Sequence, residues 1–183
     1  MAVLDKIEPK NVMGFFEELS GKHRCSQHEK DATDYIASFA KVRGLEYHRD
    51  QLDNIIVIKP GTEGYETPPT VILHGHIDMV CKLDEGVVHD FATQGVKLKV
   101  DGDRIRAEGT TLGADNGLGI SYMLALLDSD EIPHPPLECV MTVMEEMGKV
   151  GGDNVDLTKL TGKRMIDFNW IEEKQLLAGC SGD

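Results

Sequence analysis

Short apolar runs that alternate with helical segments most constrain the fold of this 183-residue chain. Apolar residues recur at helical spacing in 11–20 and 28–43, and 117–127 is apolar on nearly all sides. Asp101-Gly102-Asp103 separates two short runs and predicts a β-hairpin, so not every strand neighbour should be parallel. The pattern predicts an α/β fold with a mixed sheet flanked by helices. The candidate strands lie at 45–48, 54–58, 70–73, 96–100, 104–107, 137–144 and 164–168.

The charge balance argues against several kinds of partner. The chain has 19 Lys and Arg against 32 Asp and Glu, a net charge of −13. Nucleic acids and anionic membranes are recognised by clustered basic residues, so we expect neither as a partner. The acidic amino-terminal residues do not resemble a signal peptide, and no apolar run is long enough to span a membrane. These features predict a cytoplasmic protein.

Cysteine usage points to the same compartment. The four cysteines are scattered, with no Cys-x-x-Cys pair: Cys25, Cys81, Cys139 and Cys180. This pattern predicts free thiols in a reducing cytoplasm. The turn Arg24-Cys25-Ser26 is interpreted as structural, and Cys81 as a small buried hydrophobic residue.

Imidazole, carboxylate and amide groups follow the apolar runs. Ligands of α/β sheets collect at the carboxyl ends of strands, so we expect these groups to lie close together. Nitrogen of imidazole and oxygen of carboxylate are ligands that Zn²⁺ prefers. Each motif alone is common on protein surfaces, and only their joint placement favours a hydrolytic metal site. The residues are His74, His76, Asp78, Asp115, Glu145, Glu146 and Asn169.

The residue types suggest a division of labour within such a site. Asp115, in a glycine-flanked loop, suits a bridge between two cations. Asp78 can accept the second N–H of His76 and thereby orient the ring. Of the adjacent Glu145 and Glu146, one can bind metal while the other takes a proton from water. His74 could be a third ligand or an ordinary hydrogen-bonded residue, and both interpretations stay open.

Four stretches carry a resemblance when they are taken together. They are Thr-Val-Ile-Leu-His-Gly-His-Ile-Asp-Met-Val-Cys at 70–81, Gly-Thr-Thr-Leu-Gly-Ala-Asp-Asn-Gly-Leu-Gly at 109–119, Ile-Pro-His-Pro-Pro-Leu-Glu at 132–138 and Glu-Glu-Met-Gly at 145–148. They resemble the aminoacyl-histidine dipeptidases, which are co-catalytic zinc peptidases. The likeness begins near residue 11 and continues to the end. It implies a zinc-peptidase catalytic domain with a phosphorylase/hydrolase-like α/β fold.

The resemblance also implies a reaction and its cofactors. Two zinc ions, replaceable by cobalt or manganese, would activate water for attack on a dipeptide with C-terminal histidine, such as Xaa-His or β-Ala-His. The Asp115–Asn116 peptide is expected to be cis. The implied roles are a zinc ligand for His76, orientation of that ligand for Asp78, a bridge for Asp115, the general base for Glu145 and a second-metal ligand for Glu146.

Two departures from the family pattern predict a weakened centre. The pattern expects an aspartate ligand at 169, but the chain has Asn169, whose neutral amide brings no charge to offset the cation. Asp167 lies about 7 Å back along the same strand face. It either substitutes for the missing ligand or is an ordinary strand residue. Relatives also continue into a lid and dimerisation domain and a later histidine ligand, and no histidine follows His134 here.

These departures shape the domain and partner predictions. We expect residues 1–183 to be the N-terminal portion of a C-terminally truncated catalytic domain, with the lid and dimerisation domain absent. Weak zinc occupancy, impaired hydrolysis and self-association through an incomplete sheet should follow. Two alternatives stay open: a non-catalytic remnant or accessory protein that keeps the scaffold, and a related zinc aminoacylase or carboxypeptidase. The 109–119 block favours a dipeptidase over a deacylase, whereas Asn169 favours a remnant.

Overall fold

A five-stranded mixed sheet lies at the centre of the structure, a computed structural model that describes residues 2–170 and 175–179. The strands are β1 Glu46–Arg49, β2 Ile55–Lys59, β3 Val71–His76, β4 Leu98–Asp101, β5 Arg104–Ala107, β6 Leu137–Thr142 and β7 Arg164–Asp167. The helices are α1 Lys10–Ser20, α2 Lys30–Val42, α3 Ala114–Asp128 and α4 Val150–Asp153, with a 3₁₀ turn at Leu157–Lys159. Over the described ranges, no helix combines the length and the apolar character needed to cross a membrane.

The order of the strands brings the ends of β3 and β6 together. The sheet order is β1-β2-β6-β3-β7, with β1, β2 and β6 antiparallel and β6, β3 and β7 parallel. All six residues of β6 are buried, as expected for a central strand covered on both faces. His76 at the end of β3 lies opposite Thr142 at the end of β6. The loops that follow both strands therefore emerge side by side at one edge of the sheet.

The predicted mixed α/β fold is confirmed, with differences in detail. The hairpin forms, but β4 and β5 make a separate two-stranded sheet. The antiparallel neighbours of the main sheet come instead from β1, β2 and β6. The run predicted at 70–73 continues to His76, and the run predicted at 137–144 ends at Thr142. Strand pairing sets these limits, because β3 stays paired with β6 up to His76↔Thr142.

Apolar packing holds two helices on one face of the sheet. The buried residues of α2 include Ala32, Ile36 and Phe39, which recur at helical spacing, and they join α3 and the inner face of β6 in one cluster. Unlike α2, α3 has no wide polar face, and residues on most of its sides are buried. A second, smaller cluster covers the other sheet face around Ile56, Ile72 and Val140. The sheet is thus a middle layer that keeps α3 fixed against β3.

One sequence expectation is wrong: Cys25 and Cys81 form a disulfide, with Cα atoms 5.6 Å apart. The pairing arises because the loop after α1 lies beside the segment after β3, where Cys25 bridges to Met79. The two cysteines are 56 residues apart in sequence, so no local spacing signals the contact. Cys139 is free and buried, and burial raises the pKa of its thiol to about 12. Cys180 lies outside the described residues.

Candidate metal centre

Side chains from three elements meet where β3 and β6 end. His76 closes β3, Asp115 stands at the start of α3, and Glu145 and Glu146 follow β6. One ligand atom from each of His76, Asp115 and Glu146 lies within 4.8 Å of the others, the only such group in the described part of the chain. His76 Nε2 is 3.1 Å from Asp115 Oδ1 and 3.9 Å from Glu145 Oε2. The arrangement presents one imidazole nitrogen and three carboxylates to a common space.

Asp78 is the buried anchor of this group. Its side chain has no exposed area, and one oxygen accepts from the Ser26 hydroxyl at 2.7 Å and from the Glu146 N–H at 3.2 Å. The other oxygen accepts from the Glu145 N–H at 3.0 Å and lies 3.3 Å from His76 Nδ1. His76 Nδ1 also lies 3.1 Å from the Asp78 carbonyl oxygen. Nδ1 faces only acceptors, so it would keep its proton when Nε2 binds a cation.

Charge and burial oppose each other in this cluster. Burial alone would lower the pKa of His76, but its bond to Asp78 and the nearby charges of Asp78, Glu145 and Asp115 outweigh it and raise that pKa. Burial raises the pKa of Glu146, and the negative charges around it add to the rise, while His76 opposes it. The cluster thus has more negative charge than His76 can balance. A divalent cation fits such a donor set in both charge and ligand type.

The start of α3 has an irregular backbone that presents Asp115. The Asp115–Asn116 peptide is cis, as the sequence resemblance implied, and both residues depart from helical dihedral angles. The buried Asn116 side chain donates to the Phe168 carbonyl at 2.7 Å. A Cβ at Gly75 or Gly119 would collide with the Asn116 amide oxygen. The two glycines therefore leave room for the Asn116 side chain between α3 and β3, and Asn116 ties the start of α3 to the end of β7.

Two buried charged residues support the loops around the centre: Arg24, from the turn interpreted as structural, and Glu29, which the sequence did not single out. Arg24 is 1% exposed and donates to the Ile77 carbonyl at 3.1 Å and to the Gly113 carbonyl. Burial lowers its pKa to about 10, although Asp78 opposes that change. Glu29 is also buried and accepts the Met144 N–H at 2.9 Å. Neither residue has a local sequence signal, because its partners are distant in the chain.

The remaining predicted residues lie beside the cluster. His74 Nδ1 is 3.2 Å from Asp167 Oδ1, and its Nε2 is 3.3 Å from the Thr142 hydroxyl, so it is held as a hydrogen-bonded polar residue. Asp167 faces His74 across the β3–β7 register rather than the three-ligand group. Asn169 follows β7, is half-buried and lines a cavity of about 520 Å³ together with Trp170. A ligand role at position 169 stays a prediction.

The chain is similar to known dipeptidases in sequence and in structure. No family model matches the chain. The chain is 35% identical over 182 residues to the cytosol non-specific dipeptidase of Escherichia coli, an alignment that covers all of this chain and 38% of that protein. The aminoacylhistidine dipeptidase of Vibrio alginolyticus superposes with a TM-score of 0.90 at 35% identity, covering 93% of this chain and 35% of that one. Over nearly its whole length, this chain is therefore similar to part of these dipeptidases.

Solved structures of lower identity share the fold alone. A tripeptidase from Staphylococcus aureus matches with a TM-score of 0.73 at 22% identity, covering 88% of this chain and 43% of that chain. The aminopeptidase PepT from Bacillus cereus matches with a TM-score of 0.71 at 24% identity, covering 86% and 42%. The two dipeptidases at 35% identity confirm the resemblance inferred from the sequence motifs. The chain spans less than half the length of these relatives, 38% of the E. coli dipeptidase.

Proposed function

We propose that this chain is the ligand-bearing part of the catalytic domain of a metal-dependent dipeptidase. The observation that supports the proposal is the convergence of His76, Asp115 and Glu146 within 4.8 Å, with Glu145 beside them. The relatives at 35% identity are named dipeptidases, which agrees with that chemistry. A cytosolic location is part of the proposal, by analogy with the E. coli protein, whose name places it there.

The proposed cofactor is a pair of zinc ions, with cobalt or manganese as substitutes. His76 and Asp115 would hold one ion, and Asp115 and Glu146 the other, with Asp115 shared. When bound, such a cation acidifies water and polarises a peptide carbonyl. Asn169 would contribute a neutral oxygen where the family resemblance expects an aspartate, so we propose weak occupancy of the site that includes His76.

Glu145 is proposed as the general base. Its carboxylate reaches within 3.9 Å of His76 Nε2, while its backbone N–H is held by Asp78 at 3.0 Å. The fixed backbone aims the side chain at the ligand group, and the carboxylate is free to take a proton from water and pass it to the leaving amine. Asp78 keeps the His76 ring in the tautomer that a ligand requires.

The proposed substrate is a dipeptide with C-terminal histidine. The names of the two relatives differ, one being non-specific and the other an aminoacylhistidine dipeptidase. The Gly-Thr-Thr-Leu-Gly-Ala-Asp-Asn-Gly block at 109–117 favours the dipeptidase over a deacylase.

We also propose that copies of the chain associate through the exposed edge of β7.

A second candidate function is a scaffold that binds metal without turnover. Asn169 favours it, because an uncharged ligand weakens the hold on one of the two cations. The scaffold and the enzyme make different predictions for the Asn169→Asp variant. The enzyme should gain metal affinity and rate from the added carboxylate, whereas the scaffold should gain affinity alone.

The experiment combines metal titration with hydrolysis of β-Ala-His, Ala-His and Ala-Leu. Glu145→Gln should lower the hydrolysis rate by about 10²-fold or more and change Co²⁺ affinity only slightly. Glu131→Gln, at an exposed position, should change neither. Asn11→Asp adds the same charge as Asn169→Asp at an exposed site and is its control. Metal binding without turnover in both the parent and Asn169→Asp would favour the scaffold; no metal binding in either would refute both.

A further inference from the structure

The disulfide lies directly beside the anchor of the candidate centre. Cys25 stands between Arg24 and Ser26, and Cys81 is three residues after Asp78. The Met79 N–H donates to the Arg24 carbonyl at 2.9 Å, and the Ser26 N–H donates to the Met79 carbonyl at 3.4 Å. The disulfide therefore closes a short contact, paired by these hydrogen bonds, between the loop after α1 and the segment after β3.

This contact determines where the Ser26 hydroxyl lies. Ser26 Oγ donates to Asp78 Oδ2 at 2.7 Å, the shortest of the hydrogen bonds that Asp78 accepts. The same oxygen of Asp78 accepts from the Glu146 N–H at 3.2 Å. The carboxylate has no exposed area, so water cannot replace a donor that moves away. Loss of Ser26 would remove the shortest of the bonds that fix the Asp78 carboxylate, which contacts His76 and accepts from the backbone of the two glutamates.

We propose that Ser26 is a positioning residue of the metal centre and that the Cys25–Cys81 disulfide holds it in place, so that reduction of the disulfide weakens metal binding. This inference rests on the proposed function for its metal readout, but its structural consequence is measurable without metal. Both cysteines are partly exposed, which gives a reductant access. In a reducing compartment such a bond is regulatory rather than permanent, because cytosolic thiols are otherwise kept reduced.

The chemical step is a two-electron reduction. A dithiol breaks the Sγ–Sγ bond by thiol–disulfide exchange, delivers two electrons and two protons, and is itself oxidised to a disulfide. Cys25 and Cys81 are left as thiols. A phosphine gives the same product in vitro, since water then supplies the two protons and the oxygen of the phosphine oxide.

The test compares oxidised parent protein, phosphine-reduced parent and the Cys25→Ser/Cys81→Ser variant. The double variant imitates the reduced form without thiolates, which could themselves bind metal. We expect Co²⁺ and Zn²⁺ affinity to fall about 10- to 100-fold in both the reduced protein and the variant, the range seen when a partner of a metal ligand is lost. Reductant should have no further effect on the variant.

Amide hydrogen exchange without metal supplies the independent readout. Reduction should speed exchange at the Glu145 and Glu146 amides about 10-fold or more, because Asp78 accepts both. The Val140 amide in β6 is the internal reference for global loosening. Unchanged exchange at the two glutamates after reduction would overturn the inference. Faster exchange after reduction in a protein that binds no metal would support the role of the disulfide in positioning Ser26 and Asp78, and would refute the proposed function instead.

Ser26 itself distinguishes positioning from general stability. Ser26→Ala should weaken metal binding in the oxidised protein, and Ser26→Thr, which keeps the hydroxyl, should restore it. Equal losses in both variants, or no loss in Ser26→Ala, would refute a positioning role.

Discussion

Asp78 links three loops through one carboxylate, so a single atom change there should have large effects. Asp78→Asn keeps one acceptor oxygen and turns an NH₂ group toward N–H or O–H donors. We expect a loss of about 2 kcal/mol in the free energy of unfolding, because a buried donor is left unpaired. Metal affinity should fall about 10- to 100-fold. Urea denaturation and Co²⁺ titration measure the two effects.

The matched control for this change is Asp90→Asn. Asp90 is exposed, and its carboxylate accepts from Ala92 and Thr93 in its own turn. It should alter the free energy of unfolding by no more than about 0.5 kcal/mol. Equal effects of the two substitutions would contradict the anchoring role of Asp78.

Glu29 gives a pH dependence whose sign can be worked out. Burial raises the pKa of this carboxyl, although backbone N–H groups such as that of Met144 oppose the rise. The folded state therefore disfavours the charged carboxylate, which lowers the free energy of unfolding at neutral pH. This destabilisation disappears as pH falls from the folded pKa to the ordinary pKa of ~4.3, because the carboxyl then becomes neutral. Glu29→Gln keeps an acceptor oxygen and should be more stable than the parent at pH 7.

Thermal unfolding between pH 4 and pH 8 tests this expectation. The advantage of Glu29→Gln should shrink as the solution is acidified, because the parent carboxyl then becomes neutral as well. Glu85→Gln, at an exposed position, is the control and should show no such trend. A variant that is less stable at pH 7 and equal at pH 4 would show that the ionised carboxylate is favoured in the fold.

At the scale of residues, the sequence predicted the candidate metal ligands better than the residues that hold them in place. His76, Asp115 and Glu146 could be grouped because each stands at the end of an apolar run or the start of a buried helix. Ser26 and Arg24 could not, since their bonds to Asp78, Ile77 and Gly113 join loops that only the folded chain brings together. The roles of the grouped residues stay predictions until metal and activity are measured.

At the scale of elements, α3 is fixed at both ends. Lys59 in β2 is 9% exposed, and its ammonium donates to the carbonyls of Leu126, Leu127 and Ser129 at the end of the helix. A cation there satisfies carbonyls that lack helical partners and complements the helix dipole. The opposite end of the same helix carries Asp115. The buried lysine therefore holds the end of α3 that lies opposite Asp115.

Replacing this lysine isolates its effect. Lys59→Met keeps most of the side-chain length but removes the donors, and we expect a loss of about 1–3 kcal/mol in the free energy of unfolding. Lys99→Met, on the exposed hairpin strand β4, is the control. Chemical denaturation of both variants measures the difference. Similar losses in the two would contradict a specific role at the end of α3.

Elements were predicted more accurately than their pairing. Amphipathic spacing located α1 and α2 to within about two residues, because their buried faces repeat every three to four positions. The hairpin followed from its central glycine, whose φ is +65°. Its separation from the main sheet could not be predicted, since apolar content does not say which strands become neighbours.

At the scale of the whole molecule, the sheet formed by the described residues ends in an exposed strand. Within the described ranges β7 pairs only with β3, and all four of its residues are exposed. Met165 and Ile166 retain 62% and 51% of their accessible surface. Unpaired backbone groups beside exposed apolar side chains promote pairing with another chain. We therefore expect reversible self-association that grows with protein concentration.

Sedimentation velocity across a wide concentration range tests this expectation. Ile166→Lys places a charge on the strand and should shift the protein toward monomer, as charged residues do on natural sheet edges. Leu83→Lys is the matched control, because Leu83 is a comparably exposed apolar residue, at 43%, outside the sheet. If both variants and the parent associate equally, β7 is not the interface. If the parent stays monomeric at about 100 μM, well above the micromolar range of weak specific complexes, this edge does not drive association.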